Sequence, residues 1–178
     1  MKKILIWILC LPLAFSFISC DKDDDNDNYK EWREENIDYI NKESARIVDG
    51  KDYYKRIVPG WNSALYVLVH YFNDTEKTVG NLVPLETSTV AVKYKGMLYD
   101  GTPFDSSYVN TDSLFVTKVT GVISGWQIAL QEMHVGDSVD VIIPYQAAYG
   151  ISGSGSIPPY STLKFGIKLV DIPNYETR

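Results

Sequence analysis

Five strand-like segments follow residue 64, and a helical segment lies between only one pair of them. In the last of them the apolar residues Leu163, Phe165 and Ile167 alternate with polar or small residues, so one face of that strand is apolar. Parallel strands would need a long crossover connection at each step. The pattern therefore predicts an α+β domain: a bent antiparallel half-barrel sheet of about five strands, wrapped on one short helix. The predicted strands are 65–72, 89–95, 115–119, 138–144 and 163–169.

The predicted helix begins within the segment 121–126, Gly-Val-Ile-Ser-Gly-Trp. Trp126 is followed by Leu130 and Met133 at i+4 and i+7, which places three apolar side chains on one helix face. Two glycines bracket the preceding turn, and glycine permits a close backbone approach. Two interpretations of Trp126 stay open: an ordinary core residue, or the floor of a pocket with the Ile123 backbone N–H at its rim.

Residues 1–19 have the pattern of a lipoprotein signal peptide. Lys2 and Lys3 precede an apolar stretch, 4–18, that is too short for a comfortable membrane span. Residues 17–20 are Phe-Ile-Ser-Cys, which resembles a bacterial lipobox with Phe17 in place of the usual leucine. We therefore expect cleavage after residue 19 and acylation of Cys20, which gives a membrane anchor made of lipid.

An acidic run follows the cysteine. Residues 21–28 include no apolar residue, and such a run repels itself and stays extended. We therefore predict a tether over residues 20–28. An acidic run at this place also resembles the surface-export signal of some Gram-negative lipoproteins. The expected location is the cell envelope, as an outer-membrane lipoprotein that is either surface-exposed or periplasmic.

Residues 29–61 are predicted to form a helical appendage. Charged residues are frequent through 29–47, and the Asp-Gly pair at 49–50 ends the helical pattern. The apolar stripe is thin, so an isolated helix would be marginal. We expect it to dock on the main domain, with Tyr53, Tyr54 and Ile57 completing the contact; partner binding or dimerisation is the alternative. The residues that recur near helical spacing are Trp32, Tyr39 or Ile40, and Ile47.

Charge and cysteine usage exclude several functions. A formal net charge of −6 argues against a nucleic-acid partner, which would require a basic face. Both cysteines lie in the first 20 residues, which leaves the main domain no Cys-x-x-Cys pair and no structural zinc site. His70 lies in an apolar run and His134 beside a glycine turn, as is common for structural or surface histidines. No metal and no cofactor are expected.

A series of short motifs follows in the second part of the chain. The motifs are Lys-Tyr-Lys-Gly-Met-Leu (93–98), Asp-Gly-Thr-Pro-Phe-Asp-Ser-Ser (100–107), Val-Ile-Ser-Gly-Trp (122–126), Met-His-Val-Gly (133–136), Ala-Tyr-Gly (148–150), Ile-Pro-Pro (157–159) and Thr-Leu-Lys-Phe (162–165). In this order they resemble the FKBP-type peptidyl-prolyl isomerases. The resemblance covers about residues 62–172, with a few small gaps, and leaves 173–178 as a C-terminal tail.

This resemblance implies an aromatic pocket between the sheet and the helix, with Trp126 beneath a bound prolyl ring. It also implies that the Ile123 backbone N–H and the Tyr149 hydroxyl donate to substrate carbonyls, and that Asp105 lies at the rim near Tyr94. The expected catalytic residues are Asp105, Ile123 and Tyr149, and the expected substrate-binding residues are Tyr94, Phe104, Val122, Trp126, Ile157 and Phe165.

The chain departs from the family pattern at two places near this pocket. Residues 108–111 lack the basic residue that often pairs with the aspartate, so we expect Tyr94 or Asn110 to hold Asp105 instead. Ser113 and Leu114 stand where a second aromatic wall is expected. Either Leu114 replaces that wall in part, or the pocket is more open on this side. The Gly/Ser-rich flap, 151–156, lacks the family's frequent histidine and is expected to be mobile.

The resemblance implies a peptidyl-prolyl isomerase that acts on proline-containing polypeptides among secreted or envelope proteins. Macrolide immunosuppressants are expected as inhibitors, and the chain is expected to be a monomer. Two other functions stay open: a low-turnover chaperone or binding module in an envelope assembly, and a structural part of a surface nutrient-uptake assembly. The departures favour the first alternative, whereas the intact Phe104, Trp126 and Tyr149 oppose it.

Overall fold

The structure is a computed structural model that describes residues 28–173. The predicted signal peptide, the lipid attachment site Cys20, residues 20–27 of the tether and nearly all of the tail lie outside this part of the chain. Within the described part, no helix combines the length and the apolar character needed to span a bilayer.

Residues 28–173 form two α-helices and nine strands, which we number in chain order. The helices are α1 (Lys30–Ser44) and α2 (Ser124–Leu130). The strands are β1 (Ile47–Val48), β2 (Lys51–Asp52), β3 (Lys55–Ile57), β4 (Val67–Tyr71), β5 (Thr89–Leu98), β6 (Pro103–Ser106), β7 (Phe115–Lys118), β8 (Ser138–Ile143) and β9 (Leu163–Asp171).

Seven of these strands form one antiparallel sheet in the order β3-β4-β8-β9-β5-β6, with β7 also paired to β5. The central strand β5 pairs with β9 along one edge and with β7 and then β6 along the other. Register shifts follow Ala91 and Gly96, and such bulges bend a strand. The predicted α+β class and antiparallel half-barrel are confirmed.

The sheet has two more strands than the sequence predicts. Strand β3 is only three residues long and exposes Lys55 and Arg56, whereas β6 is a four-residue strand that follows the hairpin turn at Gly101. Neither is long enough to display an alternating pattern. Because β3 belongs to the main sheet, the predicted boundary between appendage and domain, at 61/62, falls after a strand of that sheet.

Helix α2 packs against one face of the sheet and supplies much of the core. Trp126, Ile128, Ala129 and Leu130 are all buried, together with the inward residues of β5, β8 and β9. The helix begins at Ser124 and ends at Leu130, so Met133 is buried just beyond its last residue rather than on it.

Helix α2 approaches the sheet very closely at Gly125. A β-carbon on this residue would overlap the side chain of Ile143 in β8, and no rotamer change of a fully buried isoleucine readily clears such an overlap. The second glycine of the 121–126 segment is therefore required by packing, and it sets the depth at which Trp126 enters the core.

Helix α1 docks on the opposite face of the sheet. Ile40 packs with Tyr54, Leu68 and Ile142 in a second apolar cluster. Leu68 and Ile142 are register partners in β4 and β8, and Leu68 points away from Val67 and Val69 because strand side chains alternate. The strands β4 and β8 are therefore covered on both faces.

The helix is shorter at its C-terminus than the sequence predicts. It ends at Ser44, and Ile47, expected on its apolar stripe, is 64% exposed in β1. Asp49 and Gly50 both have positive φ angles, 52° and 75°, and connect β1 to β2. Two such residues favour a tight hairpin turn, which is why the chain leaves the helix before Ile47.

Candidate active site

A cavity of about 430 Å³ lies between the sheet, α2 and the loops around them. Eight of the nine residues expected in the pocket line it, and Ile157 does not. Two lining residues, Phe115 and Gly121, were not expected. The lining residues are Tyr94, Phe104, Asp105, Phe115, Gly121, Val122, Ile123, Trp126, Tyr149 and Phe165.

Three aromatic rings hold the Trp126 indole edge to face. The ring centroids of Tyr94, Phe165 and Phe115 lie 5.0, 5.2 and 6.5 Å from that of Trp126, at interplanar angles of 86°, 89° and 85°. Such pairs add about 0.5–1.5 kcal/mol each beyond the area that they bury. Trp126 is only 3% exposed and yet lines the cavity, so it is at once a core residue and a wall of the pocket.

A second pair of rings depends on Gly96. Phe104 and Phe165 meet edge to face at 5.5 Å, and a β-carbon at residue 96 would lie 2.8 Å from an atom of each ring. A side chain there would push the two rings apart. Glycine at this place in β5 therefore allows β6 to bring Phe104 over the mouth of the cavity.

Asp105 is held by Tyr94, one of the two candidates that the sequence offered. The Tyr94 hydroxyl donates to Asp105 Oδ2 at 2.6 Å, and the Ser106 backbone N–H donates to Oδ1 at 2.7 Å. Asn110 donates instead to the Leu114 carbonyl at 2.9 Å. Burial, and then the bond to Asp105, raise the pKa of Tyr94, so this hydroxyl stays protonated and orients the carboxylate without a basic partner.

The peptide between Val122 and Ile123 is oriented by the helix that follows it. Gln127 Nε2 donates to the Val122 carbonyl at 2.8 Å. In a trans peptide the carbonyl and the following N–H point in opposite directions, so the Ile123 N–H points away from Gln127. Among residues 28–173 this N–H has no acceptor.

Tyr149 follows the short 3₁₀ turn Tyr145–Ala147 and is 39% exposed. Burial of its ring, and then the nearby charge of Asp105, raise its pKa, so its hydroxyl is a donor at neutral pH. Its side chain makes no hydrogen bond with the described part of the protein. Like the Ile123 N–H, it is a donor at the cavity without an acceptor.

The second aromatic wall comes from Phe115, one residue after the expected position. Strand β7 turns Phe115 and Thr117 inward and exposes Val116 and Lys118, and the Phe115 ring lies 5.6 Å from that of Tyr94. Leu114 does not line the cavity. Phe115 opens the predicted strand 115–119, and alternation along that strand is the signal that could have revealed this wall.

Ile157 lies in the main core at 7% exposure. Two backbone hydrogen bonds of 2.9 Å join it to Ser154 and close the flap into a tight loop. Gly153 and Gly155 have positive φ angles in this loop, which explains its glycines. Ile157 therefore ties the flap to the main core and is not part of the cavity lining.

Both the sequence and the fold are similar to those of known proteins. Residues 81–170 match the FKBP-type peptidyl-prolyl cis-trans isomerase family. The chain belongs to this family. The matched segment contains all nine residues that the sequence placed in the pocket and both residues that it missed.

Two curated relatives and one crystal structure illustrate the likeness. The chain is 46% identical over 91 residues to the FKBP-type 22 kDa peptidyl-prolyl cis-trans isomerase of Escherichia coli, covering 51% of this chain and 44% of that protein. It is 43% identical over 84 residues to FK506-binding protein 2 of Debaryomyces hansenii, covering 47% and 62%. The chain thus spans less than two thirds of each relative. A peptidyl-prolyl cis-trans isomerase from Pseudomonas syringae superposes with a TM-score of 0.65 at 28% identity, covering 81% of this chain and 95% of that one.

Replacement of Trp126 by alanine is expected to lower the free energy of unfolding by about 3–5 kcal/mol, because it removes a buried aromatic ring and the three ring contacts around it. Urea unfolding followed by far-UV circular dichroism measures this loss. The matched control is Trp61→Ala, since Trp61 is 56% exposed and its loss should cost about 0.5 kcal/mol or less. Equal losses for the two variants would contradict this account of the indole.

Proposed function

We propose that this protein is a peptidyl-prolyl cis-trans isomerase that accelerates rotation of X-Pro bonds in secreted or envelope proteins. The observation that carries the proposal is an aromatic cavity lined by two donor residues, whose Ile123 N–H and Tyr149 hydroxyl have no acceptor among residues 28–173. Its size suits a prolyl ring with part of the adjoining peptide.

The reaction is a rotation and needs no nucleophile. The barrier, about 18–20 kcal/mol, exists because resonance gives the C–N bond partial double-bond character. The planar ground state is more charge-separated than the twisted state, so a poorly hydrated aromatic site disfavours the ground state relative to the transition state. Donors that meet the substrate carbonyls better in the twisted geometry lower the barrier further, because catalysis requires stronger binding of the transition state.

In this proposal, several residues at or near the cavity have distinct roles. Trp126 and the edge-to-face rings around it receive the prolyl ring and exclude water. Gln127 holds the Val122–Ile123 peptide so that the Ile123 N–H faces the substrate. Tyr94 keeps Asp105 oriented at the rim, and Tyr149 donates from the opposite loop.

The deciding experiment is a proline-peptide isomerisation assay on the chain that begins at Cys20. We expect the first-order rate of cis-to-trans conversion to rise linearly with protein concentration above the uncatalysed exchange, which takes about tens to hundreds of seconds. One relative is named as an FK506-binding protein. We therefore also expect a macrolide such as FK506 to suppress the rate by occupying the cavity. A rate independent of protein concentration would refute the enzymatic proposal.

Removal of the Tyr149 hydroxyl tests its role as a donor. Tyr149→Phe should lower kcat/KM about fivefold, since a neutral hydrogen bond contributes about 1 kcal/mol. Because the hydroxyl has no partner in the described structure, the unfolding midpoint should not change. Tyr145→Phe is the control, as this neighbouring tyrosine does not line the cavity. An unchanged kcat/KM in Tyr149→Phe would remove the hydroxyl from the mechanism.

A second candidate function is a low-turnover module that binds unfolded chains. Exposed apolar residues follow two of the lining residues in the chain. Tyr108 and Val109, soon after Asp105, are 53% and 85% exposed, and Ile151, soon after Tyr149, is 65% exposed. Exposed apolar side chains of this kind suit contact with apolar segments of an unfolded polypeptide. Binding of a proline-containing peptide, measured by fluorescence anisotropy, without acceleration of its isomerisation would favour this module over the enzyme.

We also propose that a lipid on Cys20 holds the protein at a membrane of the cell envelope, with residues 21–28 as a spacer. Metabolic labelling with radioactive palmitate should mark the wild-type chain and leave the Cys20→Ala variant unlabelled. Protease treatment of intact cells then distinguishes the two faces, because only a surface-exposed chain is digested. A wild-type chain that takes up no label contradicts the anchor.

A further inference from the structure

Helix α1 makes a set of polar contacts with the segment 158–162, which connects the flap to β9. Trp32 Nε1 donates to Ser161 Oγ at 3.2 Å, and the Arg33 guanidinium lies 5.0 Å from the centre of the Tyr160 ring. One helical turn further on, Asn36 Oδ1 accepts a hydrogen bond of 2.6 Å from the backbone N–H of Thr162. Three successive residues of the segment therefore contact one face of the helix.

Asn36 is the centre of this contact. It is fully buried, at 0% exposure, and its amide also donates to the Trp32 carbonyl at 2.7 Å. The Thr162 hydroxyl donates to the Asn36 carbonyl at 3.3 Å. A buried amide is tolerated when its groups are paired, and the Asn36 side-chain oxygen has its partner only when α1 is docked on this segment.

The segment 158–162 in turn holds the loop that carries Tyr149. The Tyr160 backbone N–H donates to the Gly150 carbonyl at 3.0 Å, and the Gly150 N–H donates to the Tyr145 carbonyl at 2.9 Å. The rings of Tyr145 and Tyr160 meet at 5.4 Å. Tyr160 adopts a left-handed backbone with φ of 62°, which non-glycine residues adopt only when surrounding contacts maintain it.

We propose that Asn36 is a positioning residue: docking of α1 through Asn36 holds the segment 158–162, and thereby holds the Tyr149 hydroxyl in the cavity. The inference rests on the proposed function, in which that hydroxyl donates to the substrate. Tyr149 makes no side-chain hydrogen bond of its own in the described structure, so its position depends on the backbone of its turn. That backbone is bonded to Tyr160, whose ring lies near the Arg33 guanidinium. Tyr160 directly precedes Ser161 and Thr162, the two residues that are hydrogen-bonded to α1.

The helix itself provides a matched control. Its polar contacts with 158–162 come from residues 32–36, whereas Ile40 packs on Tyr54, Leu68 and Ile142. Ile40→Val removes one methyl group from the apolar contact and leaves the contacts of Asn36 in place. If α1 had only a structural role, substitutions at Asn36 and Ile40 that lower stability equally would also lower activity equally.

The test is a double-mutant cycle on the chain that begins at Cys20. Asn36→Leu and Ile40→Val are each made alone and together with Tyr149→Phe, and kcat/KM and the unfolding midpoint are measured for every variant. We expect Asn36→Leu to lower kcat/KM about threefold in the otherwise wild-type chain and to have no further effect beside Tyr149→Phe. Ile40→Val should lower the midpoint and leave kcat/KM unchanged. An equal loss from Asn36→Leu in both backgrounds would overturn the proposal.

Two further measurements test the coupling between α1 and the segment 158–162. If Asn36→Leu does not fold, Trp32→Phe removes the indole donor to Ser161 and should lower kcat/KM in the same Tyr149-dependent way; an unchanged value would count against the coupling. Amide hydrogen exchange of Tyr160 gives a readout independent of activity, and it should become faster in the Asn36 or Trp32 variant but not in Ile40→Val. A wild-type chain without isomerase activity would refute the proposed function, whereas unchanged Tyr160 exchange would refute the coupling.

Discussion

The close contact between α2 and the sheet determines the geometry of the candidate site. A side chain larger than hydrogen at residue 125 would overlap Ile143, so glycine lets the helix descend until the next residue, Trp126, lies among the rings of Tyr94 and Phe165. Those rings meet the indole edge to face, which fixes their positions without filling the space beside them. The cavity therefore exists because aromatic side chains brace one another around it, and a looser helix would allow them to collapse into it.

The polar groups around this cavity fall into two sets. Tyr94, Asp105 and Gln127 are paired with one another or with the backbone, and these bonds orient the rim. The Ile123 N–H and the Tyr149 hydroxyl have no acceptor in the described protein. An unsatisfied donor that is partly withdrawn from water lowers stability, so two such donors on residues that line one cavity support its proposed role in binding carbonyl groups. The absent basic partner of Asp105 does not alter this arrangement, because Tyr94 takes over its role.

The sequence allowed the antiparallel sheet and most of the cavity to be predicted. Residues 163–169 and 138–143 alternate clearly, and the motifs around Phe104 and Trp126 are specific. Other features depend on tertiary contacts that no local pattern records. Phe115 faces inward because β7 pairs with the start of β5, beside a bulge. Ile157 was expected in the wall, but it pairs with Ser154 and is buried in the main core instead. The end of α1 was predicted too late because Ile47 continues the helical spacing, although the hairpin at Asp49 removes it from the helix.

The way Tyr149 is supported follows from its proposed role. A hydroxyl that donates to a substrate must be free of internal acceptors, so no hydrogen bond from the side chain itself can hold it in place. Its turn must then be fixed through the backbone, and the backbone bond from Tyr160 to Gly150 does this from the neighbouring segment. That segment has no regular secondary structure of its own, and α1 braces it through Asn36. Helix α1 thus holds a segment that lies 126 residues later in the chain, in addition to its apolar packing through Ile40.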